Sequence, residues 1–347
     1  YDGFLGQVDL YSLTFIIFVY LYTKPMKPNF TISSAQANEL LCKQFATWPF
    51  FATNYQTLDK VKEKCYSFDD FSIKVQFNPA RTIMLRPEHN AGIPYANGCP
   101  LCVNNLPILQ ERLVFGRDYI VLCNPNPIFP NHFTITSRVH SPQRILSRFG
   151  DMLELSIRLE RFILYYSGPS CGTSIPGHAH FQAGTKGVLP FMNEVDTLLH
   201  KHGKSIITEP TATLFALSDT VKRNCFILKA RTLTAARKLF GLIYQALPES
   251  DGEPEPMMNI ISSYEDGTWT VVVFPRRPYL SGEENPAKVK LSINPGAVHA
   301  GGLIITKNEA DFDKITPALL SEMYSQLFLS DDLFADVCRS IQHLSSK

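Results

Sequence analysis

Apolar and polar positions follow strand and helix periods in a regular succession through the first half of the chain. From Phe71 to Phe77 they alternate cleanly, which predicts a half-buried strand with every second side chain facing inward. The other elements predicted here are a helix from Ser33, strands at 119–125 and 132–138, a helix from Ser141 through about Arg161 and a strand at 162–166. This succession leads into a glycine-rich turn and another alternating segment.

A second, similar succession begins after residue 205. It predicts strands at 224–230, 257–263, 268–274 and 302–306, and helices at 232–247, 316–327 and 333–344. Glu265, Asp266 and Gly267 separate two of these strands and are a strong hairpin signal, because glycine accepts a positive φ. The shared order of elements predicts an α+β protein made of two related lobes, which we place at 26–204 and 205–347.

Residues 1–25 precede the lobes as an apolar extension. The run at 10–22 is strongly apolar, but it is shorter than the roughly 20 residues that span a bilayer. No basic cluster precedes it, as one does in a signal peptide. We interpret it as a packed N-terminal extension; a trimmed export or anchoring segment is the alternative.

Hydrophobic content, net charge and cysteine count limit the kinds of protein that this chain can be. The 347 residues are 45% hydrophobic, which is ample for the core of one large or two average domains. The net charge is +1, from 33 basic and 32 acidic residues, so we expect no general attraction to nucleic acid or anionic membranes. The eight cysteines are spread too thinly for a disulfide framework. A reducing cytoplasm is therefore the simplest location.

The candidate reaction centre lies in residues 168–184. If 178–183 form a strand, its period of two sends His178, His180 and Gln182 to one face. Same-face neighbours on a strand lie roughly 6.5 to 7 Å apart. That gap suits a phosphate held between His180 and Gln182.

These residue types suit chemistry at phosphorus. A neutral imidazole is a competent nucleophile when a backbone carbonyl fixes its second N–H, so that the attacking nitrogen keeps its lone pair. The amide of Gln182 can donate to a developing oxyanion without adding a competing proton. In the preceding turn, Thr173 and Ser174 add hydroxyls and backbone N–H groups that can cradle phosphate oxygens. The alternative is a polar strand face bonded to its neighbours.

Cys99 and Cys102 form a Cys-x-x-Cys pair, whose two thiolates can share a zinc ion with two further ligands. The chain has no second such pair, so histidines must complete the site, and His140 and His178 are the candidates. Two reduced cysteines in a turn are the alternative. A redox role is disfavoured, because the pair does not open a helix after a strand as in thioredoxin-like sites.

At the His178-x-His180-x-Gln182 motif the chain resembles the histidine-triad superfamily, specifically its branch of nucleotidyltransferases and phosphorylases. That branch includes galactose-1-phosphate uridylyltransferase, diadenosine tetraphosphate phosphorylase and GDP-L-galactose phosphorylase. The other stretches that carry the resemblance are 76–81, 124–132, 140–144, 168–184, 269–276 and 295–302. Together they look like an uncharacterised bacterial family close to GDP-L-galactose phosphorylase. The resemblance covers roughly residues 26–345 and implies duplicated histidine-triad-like lobes with an antiparallel β-sheet and flanking helices.

The resemblance also implies roles for particular residues. His180 is expected to attack the α-phosphorus and form a covalent nucleotidyl-histidine, and Gln182 to position the phosphate. A zinc site is implied at Cys99, Cys102, His140 and His178. Thr173, Ser174, Arg81 and Arg276 are implied as contacts to phosphate or nucleotide.

The expected function is transfer of a nucleoside monophosphate from a nucleotide sugar, or a similar diphosphate, to phosphate or a sugar phosphate. Two alternatives stay open: a nucleotide or dinucleotide hydrolase, in which water resolves the intermediate, and a module that binds nucleotide without turnover. Neither nucleic acid nor a membrane is an expected partner. Relatives pair their sheets across a homodimer or within a duplicated chain, and the length of this chain favours the second arrangement.

Overall fold

The computed structural model describes residues 32–79, 98–218, 223–278 and 291–347. The strands are β1 (Lys62–Ser67), β2 (Ser72–Phe77), β3 (Arg112–Phe115), β4 (Tyr119–Cys123), β5 (His132–Ser137), β6 (Phe162–Ser167), β7 (His180–Thr185), β8 (Lys204–Glu209), β9 (Ala212–Leu217), β10 (Cys225–Ala230), β11 (Met258–Glu265), β12 (Thr268–Pro275) and β13 (Leu303–Thr306). The helices are α1 (Ser34–Thr47), α2 (Pro49–Gln56), α3 (Phe149–Arg158), α4 (Pro190–His202), α5 (Leu233–Ala246), α6 (Ala297–Ala300), α7 (Glu309–Lys314), α8 (Pro317–Leu327) and α9 (Asp331–Ser345). In this part of the chain no helix has both the length and the apolar character needed to cross a membrane. The expected extension at 1–25 and Arg81 lie outside the described residues.

A ten-stranded sheet has the order β3-β4-β5-β7-β6-β11-β12-β10-β9-β8, with antiparallel neighbours throughout. The first five strands come from residues 112–185 and the other five from 204–275. Read inward from either edge, both halves have the same strand order, and α3 connects β5 to β6 as α5 connects β10 to β11. The sheet is therefore one topology repeated and joined through β6 and β11. This confirms the predicted α+β fold, while the lobe limits stay a prediction.

Apolar cores cover both faces of this sheet. One face packs against α1, α2, α3, α5 and α9. The other packs against α4, α6, α8 and a second sheet of three strands in the order β1-β2-β13. Tyr165 of β6 lies on this second face. The pocket described below opens between the two sheets on that side.

The predicted helix from Ser141 to about Arg161 is wrong over its first turns. The α-helix begins at Phe149, after a 3-10 turn at Leu146–Arg148. The preceding backbone is held by other groups: Gln143 donates its N–H to the Pro176 carbonyl (3.1 Å), and Ile145 donates its N–H to the buried Glu255 carboxylate (2.7 Å). Because these N–H groups have distant partners, Pro142 does not open a helix.

Glu255 makes the stability of this region depend on pH. Its carboxylate accepts from the Tyr166 hydroxyl as well as from Ile145, and burial raises the pKa of Glu255 from 4.5 to about 7. The folded state thus binds this proton more tightly than the unfolded chain does. The stabilisation is complete below about pH 4.5 and is lost as the pH rises to about 7.

We expect Glu255→Gln to remove this dependence, because the amide is neutral at every pH. Between pH 5 and 8, this one group should cost the wild-type protein about 2 to 3 kcal/mol of its free energy of unfolding, and the variant should escape that loss. Urea denaturation at both pH values measures the difference. The exposed Glu249→Gln is the control, and the same pH dependence in wild type and Glu255→Gln would contradict the assignment.

Candidate active site

Two cysteines and two histidines converge in one cluster, as the sequence predicts. One ligand atom from each of Cys99, Cys102, His140 and His178 lies within 4.8 Å of all the others. Cys99 Sγ is 3.2 Å from His178 Nδ1, and Cys102 Sγ is 3.3 Å from His140 Nδ1. A tetrahedral zinc ion with ordinary sulfur and nitrogen bond lengths separates its ligand atoms by about 3.3 to 3.8 Å. The set could therefore hold a metal ion of that size.

The surroundings of His178 fix its ring for this task. Its Nε2 lies 2.7 Å from the Ser137 carbonyl oxygen, so Nε2 carries the proton and Nδ1 presents its lone pair to the cysteines. Burial lowers the pKa of His178, which favours this neutral form. The cysteine turn is also held, because Cys102 N–H and the Asn105 side chain both donate to the Cys99 carbonyl (3.2 and 2.9 Å).

His180 is oriented by the backbone of His178. Its Nδ1 lies 2.7 Å from the His178 carbonyl oxygen, so Nδ1–H donates and Nε2 keeps its lone pair. Nε2 is 3.5 Å from the Thr173 hydroxyl. Burial lowers the pKa of His180 and so favours the neutral ring. The backbone link between His178 and His180 thus joins the cluster to the candidate nucleophile.

Gln143 supports His180 and was not singled out from the sequence. The side chain is buried, and its Oε1 accepts from His180 N–H (2.8 Å). Its Nε2 donates to the carbonyls of His180 (3.0 Å) and Ser167 (3.1 Å).

Replacing Gln143 with methionine keeps the volume and removes these three hydrogen bonds. Because the His180 and Ser167 backbone groups would be buried without partners, the free energy of unfolding should fall by about 2 to 4 kcal/mol. Urea denaturation measures this loss of unfolding free energy, and the exposed Gln56→Met is the matched control. A Gln143 variant as stable as the Gln56 variant would contradict this role.

Gln182 is held through its carbonyl oxygen. His132 Nε2 and the Tyr165 hydroxyl lie 2.9 and 3.1 Å from Gln182 Oε1. The Ile128 N–H donates to His132 Nδ1 (3.3 Å), so His132 Nε2 carries the proton that it donates. No described residue is bonded to the Gln182 NH₂ group, which is thus left to donate to a ligand. Sequence reasoning gave no role to His132 and Tyr165, which reach Gln182 from neighbouring strands.

His180 and Gln182 line a pocket of about 580 Å³, within the range of small-molecule and cofactor sites. Its polar lining consists of Gln110, Asn124, Asn126, His132, Thr134, Tyr165, Ser167, Ser174, His180, Gln182, Asn294, His299, Thr306 and Lys307. Its apolar side chains are Pro100, Leu101, Leu106, Pro107, Leu122, Pro125, Ile128, Ile175, Ala297, Val298 and Ile305. Ser174 therefore reaches the pocket wall, and the Cys-x-x-Cys loop supplies part of its apolar side.

The glycine-rich turn lies against a second loop. Gly172 has φ +86°, and a Cβ there would lie 2.4 Å from the Gly296 nitrogen and the Pro295 oxygen. Only glycine allows this contact of two backbones. Both Gly172 and Gly296 line the pocket, so the contact between their backbones forms part of the pocket wall.

Arg276 braces this contact from behind. It is 3% exposed, and its guanidinium donates to the Pro295 carbonyl (2.9 Å) and to the Asn259 side-chain oxygen. Asn259 in turn donates to the Cys171 carbonyl (2.8 Å). Arg276 is not among the described residues that line the pocket. These partners lie behind the two loops, and the contact with phosphate or nucleotide that the resemblance implies for Arg276 stays a prediction.

The second half of the sheet has apolar residues where the first has this site. Cross-strand pairing places Gln182 beside Tyr165, Tyr165 beside Ile261, and Ile261 beside Val272, all in one row on one face. Within this row the polar groups are confined to the first half. Among the described residues of this row, only the first half of the repeated topology thus carries the candidate chemistry.

Comparison with known proteins agrees with this fold. Residues 40–185 match the family model of a domain of unknown function (DUF4922), and residues 243–347 match that of the GDPGP1-like C-terminal domain. No curated protein sequence matches the chain.

Solved structures of yeast Ap4A phosphorylase Apa2 are similar to it. The complex with AMP has a TM-score of 0.53 at 18% identity over 81% of this chain and 95% of that chain. The complex with Ap4A has a TM-score of 0.52 at 19% identity over 82% and 97%. The chain therefore shares the fold of yeast Ap4A phosphorylase, and together with the GDPGP1-like match this agrees with the resemblance seen in the sequence.

Proposed function

We propose that this protein transfers a nucleoside monophosphate from a nucleotide sugar, or a similar diphosphate, to phosphate or a sugar phosphate through a covalent nucleotidyl-histidine at His180. One observation carries the proposal. The His178 carbonyl holds His180 Nδ1–H at 2.7 Å, which leaves the lone pair of Nε2 as the reactive group of a ring that lines the pocket. Gln182, two positions along β7, offers its NH₂ group on the same strand face.

In the first half-reaction, His180 Nε2 attacks the α-phosphorus. The new N–P bond forms as the bond from phosphorus to the leaving oxygen breaks, and that oxygen keeps the electron pair. The ring gains positive charge, which the His178 carbonyl stabilises through Nδ1–H. Gln182 donates to a non-bridging oxygen, where negative charge develops. The Thr173 hydroxyl is 3.5 Å from Nε2, so we assign it a contact with the same phosphate, and Ser174 on the pocket wall a further one.

The apolar part of the wall suits the nucleobase. Leu101 and Leu106 on the cysteine loop and Leu122 and Ile128 on the strand side all line the pocket. Apolar walls with a few polar groups are typical of nucleotide-sized sites. Asn124 and Asn126, which also line the pocket, supply hydrogen-bonding groups for the base or ribose.

Zinc is the metal we propose for the cluster of Cys99, Cys102, His140 and His178, because two thiolates and two imidazoles are a common structural zinc set. When bound, it supplies a cross-link between the cysteine loop and the segment that leads into β7. The unpaired thiols of such a set belong in a reducing compartment, and we propose a cytoplasmic location on that ground.

The experiment that tests this function combines product and mass analysis. The protein is incubated with GDP-, UDP- and ADP-hexoses and with Ap4A, with and without phosphate. Phosphate-dependent release of a nucleoside diphosphate is the expected result. Release of a nucleoside monophosphate without phosphate identifies a hydrolase instead. Binding without turnover and without an acid-labile adduct on any of these substrates contradicts the proposal and leaves a binding module.

A further inference from the structure

The pocket has an uneven distribution of charge. Among the described residues that line it there is no aspartate or glutamate, and Lys307 is the one side chain with a permanent charge. The other titratable side chains that the structure places on this wall are the histidines His132, His180 and His299, apart from the Tyr165 phenol. On the described part of the wall, a substrate with several phosphate charges therefore meets one fixed ammonium group, that of Lys307.

Lys307 is attached to rigid backbone on the wall that faces β7. It directly follows β13, which pairs in parallel with β2, and the Thr306 hydroxyl donates to the Gln76 carbonyl (3.2 Å). Asn308, the next residue, caps α7 by accepting from Asp311 N–H (2.7 Å). The backbone of Lys307 is thus fixed on both sides, while the Lys307 side chain is exposed.

We infer that Lys307 marks a subsite for a phosphate or phosphate-monoester dianion, the group that leaves in the first half-reaction and attacks in the second. This inference rests on the proposed function. His180 belongs to the ten-stranded sheet and Lys307 to the edge of the three-stranded sheet, and both line one pocket. An in-line displacement places the leaving and attacking oxygens on the side of phosphorus opposite Nε2. In this arrangement Gln182 and the glycine-rich turn bind the α-phosphate itself.

The second half-reaction balances without a further reactant. An oxygen of the acceptor phosphate forms a bond to phosphorus, the P–Nε2 bond breaks, and its electron pair returns to the ring. The imidazole is again neutral, with Nδ1–H on the His178 carbonyl. Lys307 favours phosphate over water as the acceptor, because its positive charge attracts a dianion and does not attract neutral water in the same way.

The test separates formation of the adduct from its resolution. Nucleoside 5′-phosphorimidazolides of guanosine, adenosine and uridine load His180 while releasing imidazole, a leaving group that needs no phosphate subsite. The loaded protein is then chased with phosphate or with buffer alone. Lys307→Met removes the charge at similar length, Lys307→Arg keeps it, and Lys314→Met is the control, an exposed lysine on α7 that does not line the pocket.

We expect all proteins to load equally and to lose the adduct to water equally. The phosphate chase should slow by about 10- to 100-fold in Lys307→Met, and stay near wild type in Lys307→Arg and Lys314→Met. An unchanged phosphate chase in Lys307→Met overturns the inference.

If wild type forms no adduct, the proposed function fails, and binding alone decides the subsite. Titration calorimetry with inorganic phosphate then applies to wild type and Lys307→Met. Weaker binding by the variant supports the subsite, and equal affinity or no binding by either protein overturns it.

Discussion

Replacing His180 with alanine should abolish both turnover and the covalent adduct. The side chain is expected to supply the attacking nitrogen, and the described wall offers no second histidine oriented by a backbone carbonyl in the same way. Losing a nucleophile of this kind typically costs about four orders of magnitude or more in kcat. Product release with the preferred nucleotide and intact-protein mass spectrometry measure the two effects together.

The exposed His343→Ala is the control for this experiment, since it removes an imidazole far along the chain in α9. It should keep wild-type turnover. Thermal unfolding of His180→Ala confirms that the variant is folded. A folded His180→Ala protein with turnover within tenfold of wild type would contradict the assignment of His180 as nucleophile.

Disrupting the Cys99, Cys102, His140 and His178 cluster should have the second-largest effect. Cys99→Ser should bind less than one zinc ion per chain by elemental analysis, and should lose about 4 kcal/mol of stability under conditions in which free zinc exceeds Kd about 1,000-fold. Activity should fall as well, by about 10- to 100-fold, because the backbone of His178 orients His180.

Cys42→Ser and Cys65→Ser are matched controls, because both cysteines are exposed and neither belongs to the cluster. A strong chelator should lower the melting temperature of wild type and of both controls, and should leave Cys99→Ser unchanged. If wild type binds no zinc and the chelator changes nothing, the metal proposal is wrong.

The sequence predicts the parts of the site that are local in the chain. The period of two in His178-x-His180-x-Gln182 predicts a shared strand face, and the structure places His180 and Gln182 in one pocket. The candidate ligand set also comes from the sequence, since Cys99 and Cys102 form a Cys-x-x-Cys pair and the resemblance implies His140 and His178 as its partners. The cluster in the structure consists of the four residues that the resemblance implies.

The site contacts between residues distant in the chain depend on which strands become neighbours in the sheet. Tyr165 and Thr134 lie directly opposite Gln182 only because β7 inserts between β5 and β6. That order cannot be derived from the periodicity of either strand. The contact of His132 with Gln182 follows from the same register, and no local signal distinguishes His132 from a buried, hydrogen-bonded histidine.

Long-range polar contacts explain the wrong expectation at Ser141 and the position of Arg276. A proline after a serine is typical of a helix start, but here the N–H groups of Gln143 and Ile145 bond to Pro176 and Glu255. The resemblance implies Arg276 as a contact to phosphate or nucleotide, and in the structure its guanidinium bonds to Asn259 and Pro295 behind the pocket. In both cases the deciding partner lies far away in the chain.

The covalent bond at His180 is observable during the first turnover by mass spectrometry of the intact and of the digested protein. The wild-type protein is mixed with each nucleotide sugar or Ap4A without phosphate, quenched in base and digested. Nucleotidyl transfer through His180 predicts one added nucleoside monophosphate per chain, located on His180. This adduct should be labile in acid, and phosphate should discharge it at the rate of turnover. Turnover without an adduct, or an adduct on another residue, would contradict it.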